Sequence, residues 1–210
     1  MGLFRPGNIM VEMGDWLCRN QVKLGHLSYL GASREIWFKF EMASLFMDKW
    51  ERVFNASWNS YHLWCEAEMV DLAIAPEKES NGEVVWNKGG IMEFKTETIE
   101  LRGERKVDKA AIGRLVQNVE NDYEKRRGDK EFKPSEYAAI TFTHHPLVDG
   151  IEDISEEVVE LMEESLAELK DTMAKKDFHL PRKSTKPPFV RSSFRGEKYG
   201  FYSCGFWLKK

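Results

Sequence analysis

Three residues in two short stretches of this chain have the types and spacing to do chemistry together. Asp71 stands in WCEAEMVDLAIAP, and Glu93 and Lys95 stand in GGIMEFKTETIEL. Both stretches read as β-strands, the first ended by Pro76. Side chains alternate across a strand with period two, so Val70, Leu72 and Ile74 are expected on one face, with Met69, Asp71 and Ala73 on the other. In the second strand Met92 and Phe94 share one face, and Glu93, Lys95 and Glu97 share the other. If the strands neighbour each other, Asp71, Glu93 and Lys95 converge. Two carboxylates brought together repel, so they need a cation or one must take up a proton. Oxygen-only ligation suits a hard ion such as Mg²⁺, with Mn²⁺ as a substitute. A lysine beside that ion can orient or help deprotonate a water and can offset charge on a phosphate. The plain alternative is an exposed Glu93–Lys95 ion pair worth ~0–1 kcal/mol, with Asp71 a polar residue at a strand edge.

The elements that must position these groups follow from periodicity and punctuation. A short helix is expected over residues 9 to 24, then a glycine-broken stretch, LGHLSYLGAS. Ser33 is an expected N-cap for a helix from Arg34 to Phe54, apolar nearly all round. On it Glu41 shares an apolar face with Trp37, Phe38 and Leu45, where a buried carboxylate needs a partner, and the metal site would supply one. Glu35 competes for that role, but it lies in the first turn, where an acid simply suits the helix dipole. Asn55–Ser60 reads as a turn. Residues Glu83 to Thr98 read as a hairpin, with EVVW as its first strand. DKAAIGRLVQNVENDYEKRR reads as a helix capped by Asp108, EYAAITFTHHP as a buried strand, and ISEEVVELMEESLAELKDTMAKK as a helix with an acidic outer face. EKYGFYSCGFWLKK closes the chain as one or two strands. The order implies an α/β fold with helices on a central mixed sheet, in one domain over residues 1–210.

Asp71 followed by Glu93-Phe94-Lys95, after a helix carrying a glutamate, resembles the PD-(D/E)XK nuclease superfamily. REIWFKFEMASLF also resembles the first helix of some of its stand-alone members. The similarity spans roughly residues 34 to 145, with Val70 where the family name has proline. It implies a restriction-endonuclease-like core and a Mg²⁺-dependent hydrolase of phosphodiester bonds, most readily an endonuclease on DNA, with RNA as an alternative. It further implies that Asp71 and Glu93, with Glu41, hold the metal and that Lys95 assists the water. Many members pair up to cut two strands, which makes a homodimer compatible. The rival is a nucleic-acid- or protein-binding module that keeps the fold without turnover.

Charge distribution bears on the partner. The net charge is −4, yet Lys175–Lys210 holds ten Lys or Arg against two acids, a charge of +8, which leaves −12 on the other 174 residues. In that basic segment Arg182, Lys183, Lys186, Arg191 and Arg195 interleave with Phe189, Phe194 and Tyr199, as a nucleic-acid contact requires. A solvated loop that neutralises the acidic helix is the competing reading. Lys109 and Arg114, on the helix after the Glu93 strand, are further candidates for a phosphate, against a reading as a charged outer face. His144 and His145 are adjacent on a strand, so they point to opposite faces and do not chelate one ion. The tryptophans, Trp37, Trp50, Trp58, Trp64 and Trp86 among them, read as core. No glycine-rich phosphate loop occurs, so no nucleotide cofactor is expected. With no secretory signal or membrane-length apolar run, and with Gly7 where a myristoylation signal wants Ser or Thr, a cytoplasmic protein is expected. Cys18, Cys65 and Cys204 read as buried or half-buried thiols.

Overall fold

The computed structural model describes residues 2–30, 34–65, 70–78, 82–102, 106–128, 134–146, 156–181, 190–194 and 197–209. Its centre is a seven-stranded mixed sheet in the order β1-β2-β3-β6-β9-β7, with β8 also paired to β9. The strands are β1 (Tyr61–Cys65), β2 (Leu72–Pro76), β3 (Gly90–Thr98), β6 (Glu136–His145), β7 (Phe178–His179), β8 (Val190–Phe194) and β9 (Glu197–Lys209). β4 (Leu101–Arg102) and β5 (Lys106–Val107) form a separate two-stranded ribbon. β3 and β6 run parallel, joined through the helix α5 (Lys109–Gly128), and the other pairs of the large sheet are antiparallel. The α/β reading of the sequence therefore holds. Among the described residues no helix is long and apolar enough to cross a membrane.

Each face of the sheet carries its own core. α1 (Pro6–Arg19), α2 (Gln21–Leu30), α3 (Arg34–Asp48) and α4 (Trp50–Val53) bury one face, where Leu72, Ile74, Met92 and Phe94 meet Phe38, Met42 and Phe46. Phe38 stacks flat on Phe142 with ring centroids 3.9 Å apart. α5 and α6 (Glu156–Lys175) bury the other face, where Ile91, Ala73 and Tyr137 meet Leu115, Val119 and Leu169. β6 lies mid-sheet and is buried on both faces over Tyr137–His145, which explains its continuous apolar run. Asp108 caps α5 as expected, its Oδ1 accepting from the Ala111 amide at 3.1 Å. At the start of β3 a Cβ on Gly90 would sit 2.6 Å from the Phe4 ring, so glycine lets the N-terminal segment cross the sheet there.

Four local expectations are corrected. The helix expected over 9–24 is two helices meeting at Asn20, whose side-chain amide donates to the Trp16 carbonyl, and α2 runs through Gly25. The helix expected to reach Phe54 ends at Asp48 and resumes as α4. WCEAEMVDLAIAP is not one strand, because Cys65 pairs with Leu72 across the antiparallel β1–β2 ladder. The hairpin over Glu83–Thr98 is not formed. β2, apolar and buried, takes the place beside β3, while Trp86–Lys88 winds into a 3₁₀ turn and Val84 forms an isolated bridge to Glu77. Ser33, Met69 and the first two residues of the ISEEVVELM helix, Ile154 and Ser155, lie outside the described residues.

Candidate active site

β3 turns Glu93 and Lys95 toward α5, and α5 answers with a pair of opposite sense. The Arg126 Nε donates to Glu93 Oε1 at 3.1 Å, with both side chains buried. Lys95 Nζ lies 2.8 Å from Asp122 Oδ2. Residues i and i+2 on a strand are about 6.7 Å apart, and residues i and i+4 on a helix rise about 6 Å. Glu93-Phe94-Lys95 and the Asp122–Arg126 spacing therefore match as two crossed ion pairs. Helical spacing could have pointed to them, since Asp122 and Arg126 lie seven and eleven residues beyond buried Leu115, on the stripe that faces inward.

Asp71 joins the same cluster. The β2–β3 ladder pairs Leu72 with Met92, so one further step brings Asp71 opposite Glu93. Its Oδ2 accepts from the Phe94 amide at 2.7 Å. The chain bends at Asp71, and this breaks the expected alternation. Val70 packs with the α5 core rather than on the face of Leu72 and Ile74. The bend frees the carboxylate from a ladder position and lets it reach the β3 backbone.

The helix acid is Glu35, not Glu41. Glu35 Oε1 lies 3.4 Å from Lys95 Nζ, and its Oε2 accepts from the Thr96 amide at 3.4 Å. Glu41, six positions on, falls on a different arc of α3 and pairs with Lys23 at 3.1 Å. Lys39, one turn after Glu35 and nearly buried, reaches Asp71 Oδ1 at 3.3 Å. Glu35 is held by a clamp at its own helix start. The Arg34 Nη1 donates to Thr98 Oγ1 and to His144 Nδ1, both at 2.8 Å. Arginine has only donors, so His144 Nδ1 is an acceptor and the proton sits on Nε2, facing Ser28 Oγ at 3.2 Å. His144 stacks on Tyr202 and is no ligand in this arrangement.

The electrostatics follow from four acids, Glu35, Asp71, Glu93 and Asp122, crowded around three cations, Lys39, Lys95 and Arg126. Burial, then the charges of Asp71 and Asp122, push the Glu93 carboxyl up to about 8 against the pull of Arg126. Burial also raises Glu35, opposed by Lys95. For Lys95 burial works against the charge, but the Asp122 hydrogen bond and the charges of Glu35, Asp122 and Asp71 outweigh it and hold the amine above its ordinary value. Burial, Arg34 and His145 pull His144 down to about 3, and burial alone does the same to His145.

The remaining predicted residues lie elsewhere or point elsewhere. Lys109 pairs with Glu168 at 3.0 Å, and Arg114 pairs with Glu97 at 3.1 Å, so these two cations meet acids of the chain. Arg182, Lys183, Lys186 and Arg195 lie outside the described residues, and Arg191 falls in β8 with its side chain undescribed. His144 and His145 do face opposite ways: His145 Nε2 meets Thr143 Oγ1 at 3.0 Å. Cys204 is buried and Cys65 half-buried, but Cys18 is exposed.

The chain matches no protein-family model, no curated protein and no solved structure. Fit to a metal thus rests on the donors themselves. Among the described residues no three Asp, Glu, His or Cys side chains stand close enough to hold one ion in common. The donor chemistry still suits a hard divalent ion. Carboxylates outnumber cations here, Glu93 is driven toward its neutral form, and Mg²⁺ needs only one or two carboxylates because it keeps several waters.

Proposed function

We propose that this chain is a metal-dependent phosphodiester hydrolase acting on nucleic acid, with DNA as the leading substrate. The observation that carries the reading is the meeting of Asp71, just before β2, with Glu93 and Lys95 of β3 and Glu35 of α3 in one acid-rich cluster. Asp71 and Glu93 would hold the ion, with Glu35 beside them. A bound Mg²⁺ supplies a Lewis acid for the phosphate oxygens and a water of lowered pKa. Lys95, kept protonated by Asp122 and Glu35, acts as a cation and hydrogen-bond donor toward water or phosphate rather than as a base. Arg126 restrains Glu93 and Lys39 restrains Asp71. Arg34 fixes the first turn of α3, so Glu35 stays directed at Lys95.

One observation favours a second reading, a nucleic-acid-binding module without turnover. Glu93, Asp71 and Lys95 each already have a partner of opposite charge within the chain. Incubation with plasmid and oligonucleotides in Mg²⁺, Mn²⁺ or EDTA, beside a Lys95→Ala variant, separates the two. Metal-dependent cutting that disappears in the variant supports the hydrolase. Binding without cutting in either metal supports the module.

A further inference from the structure

On the face that carries Glu93, the sheet continues outward to an aromatic edge. β1 alternates cleanly: Tyr61, Leu63 and Cys65 pack toward the α1–α4 core. His62 and Trp64 therefore point to the other face. Register agrees, because Trp64 pairs with Ala73 and His62 with Ala75, and Ala73 pairs in turn with Ile91 of the α5 core. Trp86, from the 3₁₀ turn, completes the row. The Trp64 ring centroid is 5.6 Å from those of both His62 and Trp86. Beneath them the floor is two alanines, Ala73 and Ala75, both fully buried. Within the sheet α5 packs chiefly on β3, and the His62 side chain is 50% exposed.

This row sits at a useful distance from the carboxylates. Trp64 and Asp71 are separated by one strand spacing and two residues along the strand, about 8 Å between backbones. Glu93 lies one strand further. A strand of nucleic acid held at Asp71 through a divalent ion would lay a neighbouring base over Trp64, since Glu93 itself is buried. Lys88, exposed two residues after Trp86, is placed in sequence to meet a flanking phosphate, while Glu77 lies 3.9 Å from His62 and bounds the row on its far side. Aromatic side chains stack any base, because every base has a π-face. Bases in a duplex are already stacked and paired and offer no free face.

We propose that His62, Trp64 and Trp86 form a nucleobase-stacking platform beside the acid cluster, so that the preferred substrate enters as a single strand or with its bases unpaired. The inference rests on the nucleic-acid reading of the cluster, but not on turnover. The test is fluorescence anisotropy in Ca²⁺, with a labelled twelve-residue oligothymidylate and with a duplex of equal length. Single-base stacking is worth ~1–3 kcal/mol, so Trp64→Ala is expected to weaken oligothymidylate binding roughly 5- to 150-fold and to leave duplex binding unchanged. Trp64→Phe, which keeps a ring, stays near wild type, and the half-exposed His62→Ala weakens binding severalfold. Trp58→Ala, at an exposed tryptophan packed on Trp50, changes nothing. Should Trp64→Ala fail to fold, His62→Ala and quenching of the intrinsic tryptophan emission by oligothymidylate decide the matter. A wild type with no preference for the single strand, or a His62→Ala variant that binds it unchanged with no quenching, overturns the platform. Lack of metal-dependent cutting would remove the hydrolase reading and leave the platform standing.

Discussion

Glu93 provides the sharpest numerical test, because two interactions pull it in opposite directions. A buried guanidinium at 3.1 Å should keep a carboxylate ionised. Burial and the charges of Asp71 and Asp122 oppose this and push the carboxyl from 4.5 to about 8. The folded chain then binds a proton more tightly than the unfolded chain. Glu93 therefore contributes most to stability below pH 4.5, and that contribution is lost as pH rises through about 8. At ~1.4 kcal/mol for each pH unit, the whole change is on the order of 4–5 kcal/mol, and about 3 kcal/mol of it falls between pH 5.5 and 8.5. The perturbation is Glu93→Gln, which keeps an acceptor for Arg126 and cannot titrate. Urea unfolding in EDTA at a series of pH values should show the wild type losing about 3 kcal/mol relative to the variant across that window. A difference that is flat with pH, or that moves in favour of the wild type, would show that Arg126 outweighs the crowding and would refute the electrostatic account.

Further outcomes follow from the same geometry. Arg34→Ala removes two hydrogen bonds and leaves buried His144 Nδ1 without a donor, so a loss of about 1–3 kcal/mol is expected in urea melts. Asp122→Asn takes away the nearest anion of Lys95 and lowers its pKa, which should speed acylation of Lys95 near pH 9 as followed by peptide mass spectrometry. Phe38→Ala empties the stacked centre of the α1–α4 core and should cost about 3–5 kcal/mol in the same melts. Glu35→Gln should abolish metal-dependent cutting while Glu41→Gln leaves it intact, since only Glu35 reaches Lys95.

The strand part of the site was legible because period two leaves little choice. Glu93 and Lys95 share a face in any β-strand, whereas their meeting with Asp71 is conditional on two strands being neighbours, and the place beside β3 that the expected hairpin gives to EVVW is taken by β2. The helix acid was not legible. α3 is apolar nearly all round, so spacing alone does not tell which arc meets the sheet, and it favours Glu41, amid Trp37, Phe38 and Leu45, over Glu35 in the first turn. The arc is set by tertiary contacts of Arg34 with Thr98 and His144, residues far away in the sequence. Asp122 and Arg126 are masked by their place near the end of a helix, where charges usually face solvent, although their spacing from Leu115 puts them on the buried stripe. The split of residues 61–76 into two strands depends on the pairing of Cys65 with Leu72, which a continuous apolar run conceals. The aromatic row at β1 was hidden for a like reason, since His62 and Trp64 acquire a common face with Ala73 and Ala75 only once β1 pairs with β2.

The most direct measurement is binding of Mn²⁺ at neutral pH, followed by electron paramagnetic resonance of the free ion. A saturable site of one ion per chain is expected, lost in Asp71→Asn and in Glu93→Gln and retained in Glu41→Gln. Failure of the wild type to bind Mn²⁺, or an isotherm that neither carboxylate substitution alters, would contradict the assignment of these acids to a metal centre.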